Sequence, residues 1–329
     1  MDRRAFLQTI AGGLLVAPLA AEAQPAEKVY RVGVLTPGAR PTSSASTMAS
    51  ILPLALRDLG YVEGKNLVVE QRFAEGKLDQ LPGLAQELVR RRIDILIAVS
   101  PDAVRAAKDA TKTVPIVMVL AYSDPVDLGF VASLSRPGGN ITGVVMAAEP
   151  TMAGKRLELI KEAVPRAARI AVLATSETGS RTQVQWATKA ASPLGVKLIA
   201  IEVRNAEYDR AFTTMLAERV EAVLVLASVL FSTDRTRIID LAAKYRLPAI
   251  YDWDEHVVAG GLMAYGGSIS AVTRRVAAYI DRIFKGANPA ELPVERATRF
   301  ELVINLKTAK ALGLTMPQSL LRRADQVIE

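Results

Sequence analysis

Along most of the chain, short aliphatic and β-branched runs alternate with longer stretches whose apolar residues recur every third or fourth position. The first pattern predicts strands and the second helices. Strands are expected over 29–35, 66–72, 93–99, 115–120 and 141–145, with helices over 46–59, 78–91, 103–110 and 127–133 between them. Residues 93–99 are apolar apart from Asp94, a sign of burial on both faces of a sheet. After 146–150 the cycle restarts. Helices are expected over 151–164, 182–192, 208–218, 234–245 and 271–285, and strands over 169–174, 196–203, 222–226, 249–251 and 261–265. A last strand, 300–304, leads into a helix over 306–312 that stops at Gly313.

Such alternation predicts right-handed βαβ units and parallel sheets. The chain has 329 residues, and a single core stops growing at about 250–300. The expected fold class is therefore α/β, with two Rossmann-like, doubly wound parallel-sheet lobes and a cleft between them. The expected division is 28–146 plus 268–329 for the N-terminal lobe and 147–267 for the C-terminal lobe. A closed eight-stranded barrel competes for this strand count, and the restart near 146–150 favours two lobes. In open parallel sheets ligands sit beyond the carboxyl ends of the strands, so two facing lobes make a cleft lined by strand-end loops.

The first residues read as an address. Arg3 and Arg4 precede Phe6 and Leu7, an apolar stretch runs from Ile10 to Ala20, and Ala21-Glu22-Ala23 offers a small-x-small cleavage site. The stretch falls short of the roughly 20 residues of a membrane-spanning helix. Residues 1–23 are expected to be a twin-arginine-like signal peptide, cleaved near Ala23 and Gln24, leaving a periplasmic protein.

Composition narrows the chemistry. There is no cysteine and a single histidine, His256, which excludes thiolate sites, multi-histidine metal sites and triads built on any other histidine. His256 follows Asp252-Trp253-Asp254-Glu255, but acidic residues at a helix start answer the helix dipole, and no metal or cofactor is expected. The net charge is +7, from 41 Lys and Arg against 34 Asp and Glu. These residues are dispersed. The densest run, Arg90-Arg91-Arg92, ends a helical stretch, so no nucleic-acid partner is expected. Pro137-Gly138-Gly139-Asn140 follows a helix and precedes a strand, the reverse of a phosphate loop, and reads as a turn.

Hydroxyls and carboxylates dominate the strand ends: Thr36, Ser100-Pro101-Asp102, Asp124-Pro125, Ser176-Glu177, Ser228, Asp252 and Tyr265-Gly266. Several stand at helix N-termini, where free N–H groups can hold an anion. They equally suit helix caps and turns.

The sequence resembles the ABC-transporter substrate-binding protein family that includes tryptophan- and tyrosine-type binding proteins. The matching stretches are GYVEGKNL at 60–67, EQRFAEG at 70–76, SDPV at 123–126, SLSRPGGNITG at 133–143, GKRLELIKEAVP at 154–165 and FELVINLKTAKALGL at 300–314. The resemblance implies a type I periplasmic-binding-protein fold that closes like a flytrap about its hinge. It implies a small-molecule solute and, as partners, a membrane permease with its ATPase. It places the binding loops at Thr36, Ser100 and Pro101, Asp124 and Pro125, Ser176 and Glu177, Ser228, and Tyr265 and Gly266. Many members carry Asp where this chain has Ser228, and Thr175-Ser176-Glu177 departs from a common Asn-Pro pattern. An acidic partner for a ligand amine would then have to come from Asp124 or Asp252.

The expected function is capture of a small molecule, an amino acid or an aromatic or carboxylate compound, by a monomer that performs no chemistry on it. Two other functions stay open: a sensory module serving a membrane receptor, and a hydrolase using an acid–base pair such as Asp124 and Glu177.

Overall fold

The computed structural model describes residues 28–40, 47–146, 151–204, 206–297 and 300–329. The expected signal segment and the restart at 147–150 lie outside the described residues. In chain order the strands are β1 (Tyr30–Thr36), β2 (Leu67–Phe73), β3 (Ile95–Val99), β4 (Ile116–Ala121), β5 (Ile141–Met146), β6 (Arg169–Ala174), β7 (Lys197–Glu202), β8 (Ala222–Val225), β9 (Ala249–Trp253), β10 (Met263–Gly267), β11 (Glu295–Ala297), β12 (Glu301–Asn305) and β13 (Gln326–Ile328). The helices are α1 (Met48–Arg57), α2 (Leu81–Arg90), α3 (Pro101–Ala110), α4 (Thr151–Ala163), α5 (Thr178–Ala191), α6 (Tyr208–Ala217), α7 (Val229–Thr233), α8 (Arg235–Lys244), α9 (Asp254–Val258), α10 (Ile269–Phe284), α11 (Leu306–Leu312) and α12 (Gln318–Arg323).

Two sheets form, ordered β11-β5-β4-β3-β1-β2 and β13-β12-β10-β9-β8-β6-β7. Every pairing in the first is parallel. In the second, β10 and β12 run antiparallel. The apolar run at β3 explains the layering. Alternate side chains leave a strand on opposite faces. Ile95 and Ile97 join the core under α1 and α10, while Leu96 and Ala98 join the core under α2 and α3. The second sheet is covered in the same way, by α4, α5, α11 and α12 on one face and by α6, α8 and α9 on the other. The α/β class and its two doubly wound lobes stand. Among the described residues no helix is long and apolar enough to cross a membrane.

The expected division of the chain needs correction at its C-terminal end. α10 does return to the first lobe, against α1, and β11 pairs with β5. β12 and β13, however, extend the second sheet, and Ala309, Met316 and Leu320 bury in its core. The segment from 300 onward therefore belongs to the C-terminal lobe. A second correction concerns 127–133, where no helix forms. Asp124 and Pro125 start a tight turn, with Leu128 N–H donating to the Asp124 carbonyl and Phe130 N–H to that of Pro125.

Candidate functional site

The carboxyl ends of both sheets face one another across a cavity of about 100 Å3. The first lobe contributes Val99, Ser100, Pro101, Val119 and Met146, and the second contributes Glu177, Gly179, Gln183, Ser228 and Ser232. Trp253, Ile269 and Val272 supply apolar wall where the chain passes between the lobes. Most of these side chains are apolar because they are the last residues of buried strands or the first of α10, continuing the core into the cleft.

The polar groups are largely spent on the backbone. Thr47 caps α1, accepting from Ser50 N–H, while the Ser50 hydroxyl closes the reciprocal bond to Thr47 N–H. Ser100 caps α3 by accepting from Ala103 N–H at 3.3 Å. Its φ of +95° is a strained backbone conformation for a residue with a side chain, of the sort that clusters at functional sites. Gln183 bridges backbone on both sides, donating to the Gly179 and Ala227 carbonyls and accepting from Ala227 N–H. Ser228 caps α7 by accepting from Leu230 N–H and donates its hydroxyl to Glu177 Oε1 at 3.1 Å.

Glu177 stands apart. It is 4% exposed, and burial raises its carboxyl to about 7, against the pull of the Ser228 hydrogen bond, with the nearby Asp102 charge adding to the rise. Among the described residues no Lys, Arg or His side chain lines the cavity with it.

The lobes touch. Thr178, at the start of α5, donates both its N–H, at 3.0 Å, and its hydroxyl, at 2.7 Å, to the two carboxylate oxygens of Asp102 on α3. Gly179 packs against Ala121 and Ser123, Gly38 against Val229, and Gly76 against Leu230. The lobes are thus in contact beside the cavity, which lies between them.

Behind the cavity lies a buried polar cluster. Arg156 of α4 is 1% exposed. Its Nε donates to the Tyr265 carbonyl at 2.8 Å, its Nη2 donates to the Tyr122 hydroxyl, and the guanidinium lies 4.9 Å from the Tyr122 ring centre. Asp252 is equally buried, without a hydrogen-bond partner for either oxygen. Burial raises it to about 7, partly offset by the charge of Arg156.

Of the residues singled out from the sequence, Ser100, Pro101, Glu177 and Ser228 line the cavity. The others do not, and each has a local task. The Thr36 hydroxyl accepts from Gly38 N–H and closes its own turn. Asp124 accepts from Val126 N–H and Asp127 N–H and lies 3.6 Å from Arg296, with Pro125 buried in the same turn. Ser176 is exposed. Asp252 sits beside Arg156, Tyr265 lines a separate surface groove, and Gly266 presses on the Asp252 backbone. Asp124 and Glu177, the example of an acid–base pair for a hydrolase, are not assembled together in the cavity. His256 is a core residue stacked on Tyr251 at 4.8 Å, and burial, then the Arg235 charge, lowers it to about 3. Sequence reasoning missed Gln183, Ile269 and Val272, which read as ordinary helix and core positions, and the pairing of Asp102 with Thr178.

Residues 43–328 match the family described as ABC transporter substrate binding protein. The chain belongs to that family. Among relatives of this substrate-binding protein, a tyrosine-binding protein of Clostridioides difficile is 27% identical over 261 residues, 79% of this chain and 74% of that protein. A conserved domain protein from Vibrio cholerae shares the structure with a TM-score of 0.79 at 26% identity, covering 92% of this chain and 99% of that one. An ABC domain in complex with L-Trp from Streptococcus pneumonia superposes with a TM-score of 0.77, also at 26% identity, over 92% of this chain and all of that one. Capture of a small molecule for ABC transport is the function of this substrate-binding protein, and the type I periplasmic-binding-protein fold of its structural neighbours is also its own.

Proposed function

We propose that the chain is exported, closes as a monomer over a small molecule held in the cavity between its lobes, and presents the closed form to a membrane permease without transforming the solute. The observation that carries this reading is the cavity itself. Its walls come from both lobes, so it exists only when they meet, and a ligand filling it favours closure by its differential contacts. Apart from Glu177, its polar side chains cap helices or bond to backbone, and the acid–base pair considered for hydrolysis is split, which supports binding over catalysis. The twin-arginine-like start supports export of the folded chain. The dispersed charge supports a role without nucleic acid.

The test is a thermal-shift screen of mature protein that has been unfolded and refolded to strip resident ligand, against amino acids, amines, aromatic acids, nucleosides and sugars. A ligand at 100 times its dissociation constant adds about 2.7 kcal/mol of stability. A saturable hit recovered chemically unchanged is the expected outcome. Turnover of the hit would refute the binding reading.

A further inference from the structure

Two relatives more than 25% identical to this chain have names that specify a ligand, a tyrosine-binding protein and a domain holding L-Trp. Both ligands are amino acids, with a carboxylate as well as an amine, and the cavity of this chain is not built to hold the carboxylate. α1, α3, α5, α7 and α10 begin at its wall, and a side-chain oxygen already accepts from one first-turn N–H of each, that of α10 being Glu255 on Ser270 N–H. Thr47 and Ser50 cap α1, Ser100 caps α3 and Ser228 caps α7. The first N–H of α5 is taken by Asp102, whose carboxylate also stands in the first turn of α3, so one negative charge answers the positive ends of both helices. No lysine, arginine or histidine lines the cavity among the described residues. A ligand carboxylate would be stripped of water opposite Glu177 with no cation to receive it, an arrangement that is strongly unfavourable.

The opposite charge is catered for. Glu177 is the one acidic side chain in the wall among the described residues, and Ser228 donates a hydrogen bond to its Oε1. The wall's other polar side chains, Thr47, Ser100, Gln183, Ser228, Ser232 and Thr233, bond to backbone, and much of the remaining wall is apolar, with Val99, Val119, Met146, Trp253 and Val272. The volume of about 100 Å3 is smaller than the roughly 150 Å3 apolar cavity known to admit benzene. One ring is therefore the upper bound, and a short branched alkyl chain fits best.

Resting on the reading of this cavity as the solute site, we propose that the solute is a small primary amine without a carboxylate, its ammonium on Glu177 and an apolar body of at most one ring against Val99, Met146, Trp253 and Val272. Ion pairing then gives specificity and the apolar wall gives affinity.

Two matched series test this by calorimetry at pH 8: phenethylamine, phenylalanine, 3-phenylpropionate and 2-phenylethanol, and isoamylamine, leucine, 4-methylpentanoate and isoamyl alcohol. Each amine is expected to bind at least tenfold tighter than its amino acid and its acid. Glu177→Gln keeps the shape and the Ser228 contact. It is expected to lose at least tenfold for the amines and to bind the alcohols as the parent does, which also shows that it is folded. Equal or tighter binding of an amino acid, or amine binding that survives Glu177→Gln, overturns the amine proposal and leaves the solute-binding reading intact. So does a sugar or nucleoside that binds while all amines fail. No binding by any class, including the broad screen above, overturns both.

Discussion

Asp102→Ala removes the two hydrogen bonds that Thr178 donates across the cleft. Hydrogen bonds to a charged group contribute about 1.5–3 kcal/mol each. This pair is only part-buried, so its joint contribution is nearer 2 kcal/mol once solvent competition is allowed for. Both bonds join one lobe to the other and exist only when the lobes are together. Their loss shifts the closed-to-open ratio by about 30-fold, and because ligand affinity scales with the population of the closed form, the dissociation constant rises by a similar factor. Asp102 also sits in the first turn of α3, where an acidic residue contributes about 0.3–1 kcal/mol to the helix in either state. The melting temperature of the free protein should therefore fall only slightly. Thr178→Val removes the hydroxyl donor and keeps the N–H, and is expected to weaken binding by about fivefold, near half the free-energy effect. Calorimetry with the strongest ligand from the screen measures both variants, and small-angle scattering at saturation reports whether the lobes still close. Affinities within twofold of the parent in both variants would show that the latch contributes nothing to closure.

Three further outcomes follow from the structure. Asp124 lies outside the cavity and is held by its own turn, so Asp124→Ala should change ligand affinity by less than twofold, as read by the same calorimetry. A Cβ on Gly266 would lie 1.7 Å from the Asp252 carbonyl oxygen, so Gly266→Ala should force β9 and β10 apart at a loss of several kcal/mol, seen as a collapse of the denaturation midpoint or failure to express soluble protein. Burial raises the Asp252 carboxyl from 3.8 to about 7, so the folded protein holds that proton more tightly than the unfolded chain. The resulting stability is whole below about pH 4 and is lost as pH climbs through 7. Asp252→Asn does not titrate, and relative to the parent it should gain roughly 2–3 kcal/mol between pH 5 and pH 9. Denaturant titrations at the two pH values measure this, and a mutational difference independent of pH would show that the carboxyl is not held neutral.

Much of the architecture was legible because buried parallel strands advertise themselves. β3 and β6 are apolar enough on both faces that no other element fits them. α11 is bounded by local signals, Asn305 as its cap and Gly313 beyond its end. What was not legible depends on distant partners. The start of α5 at Thr178-Gly179-Ser180 reads as loop, yet small residues are needed there because Gly179 meets Ala121 and Ser123 of the other lobe. The transfer of 300–329 to the second lobe rests on β12 pairing with β10, and no local pattern records that pairing. The site divides in the same way. The strand-end rule located Ser100, Glu177 and Ser228, because it identifies the correct edge of each sheet. It also selected Thr36 and Asp124, since the rule carries no information on which strand ends turn inward and which merely close a turn. Most of the apolar wall stayed invisible because Val99, Met146 and Val272 look like core until the second lobe arrives.

The return of α10 to the first lobe has a consequence for biosynthesis. α10 buries Val272, Val276, Ala277 and Ile280 in the same core as Leu52 and Leu56 of α1, and more than two hundred residues separate the two helices. At 5–20 residues per second, a ribosome needs roughly 10–40 s to travel between them. Through that interval one face of the N-terminal sheet has only α1 for cover, and the nascent chain depends on being shielded until nearly the whole polypeptide has emerged. The protein is in this sense finished from its C-terminal side, and a ribosome stalled anywhere before residue 269 holds a lobe that cannot close its own core.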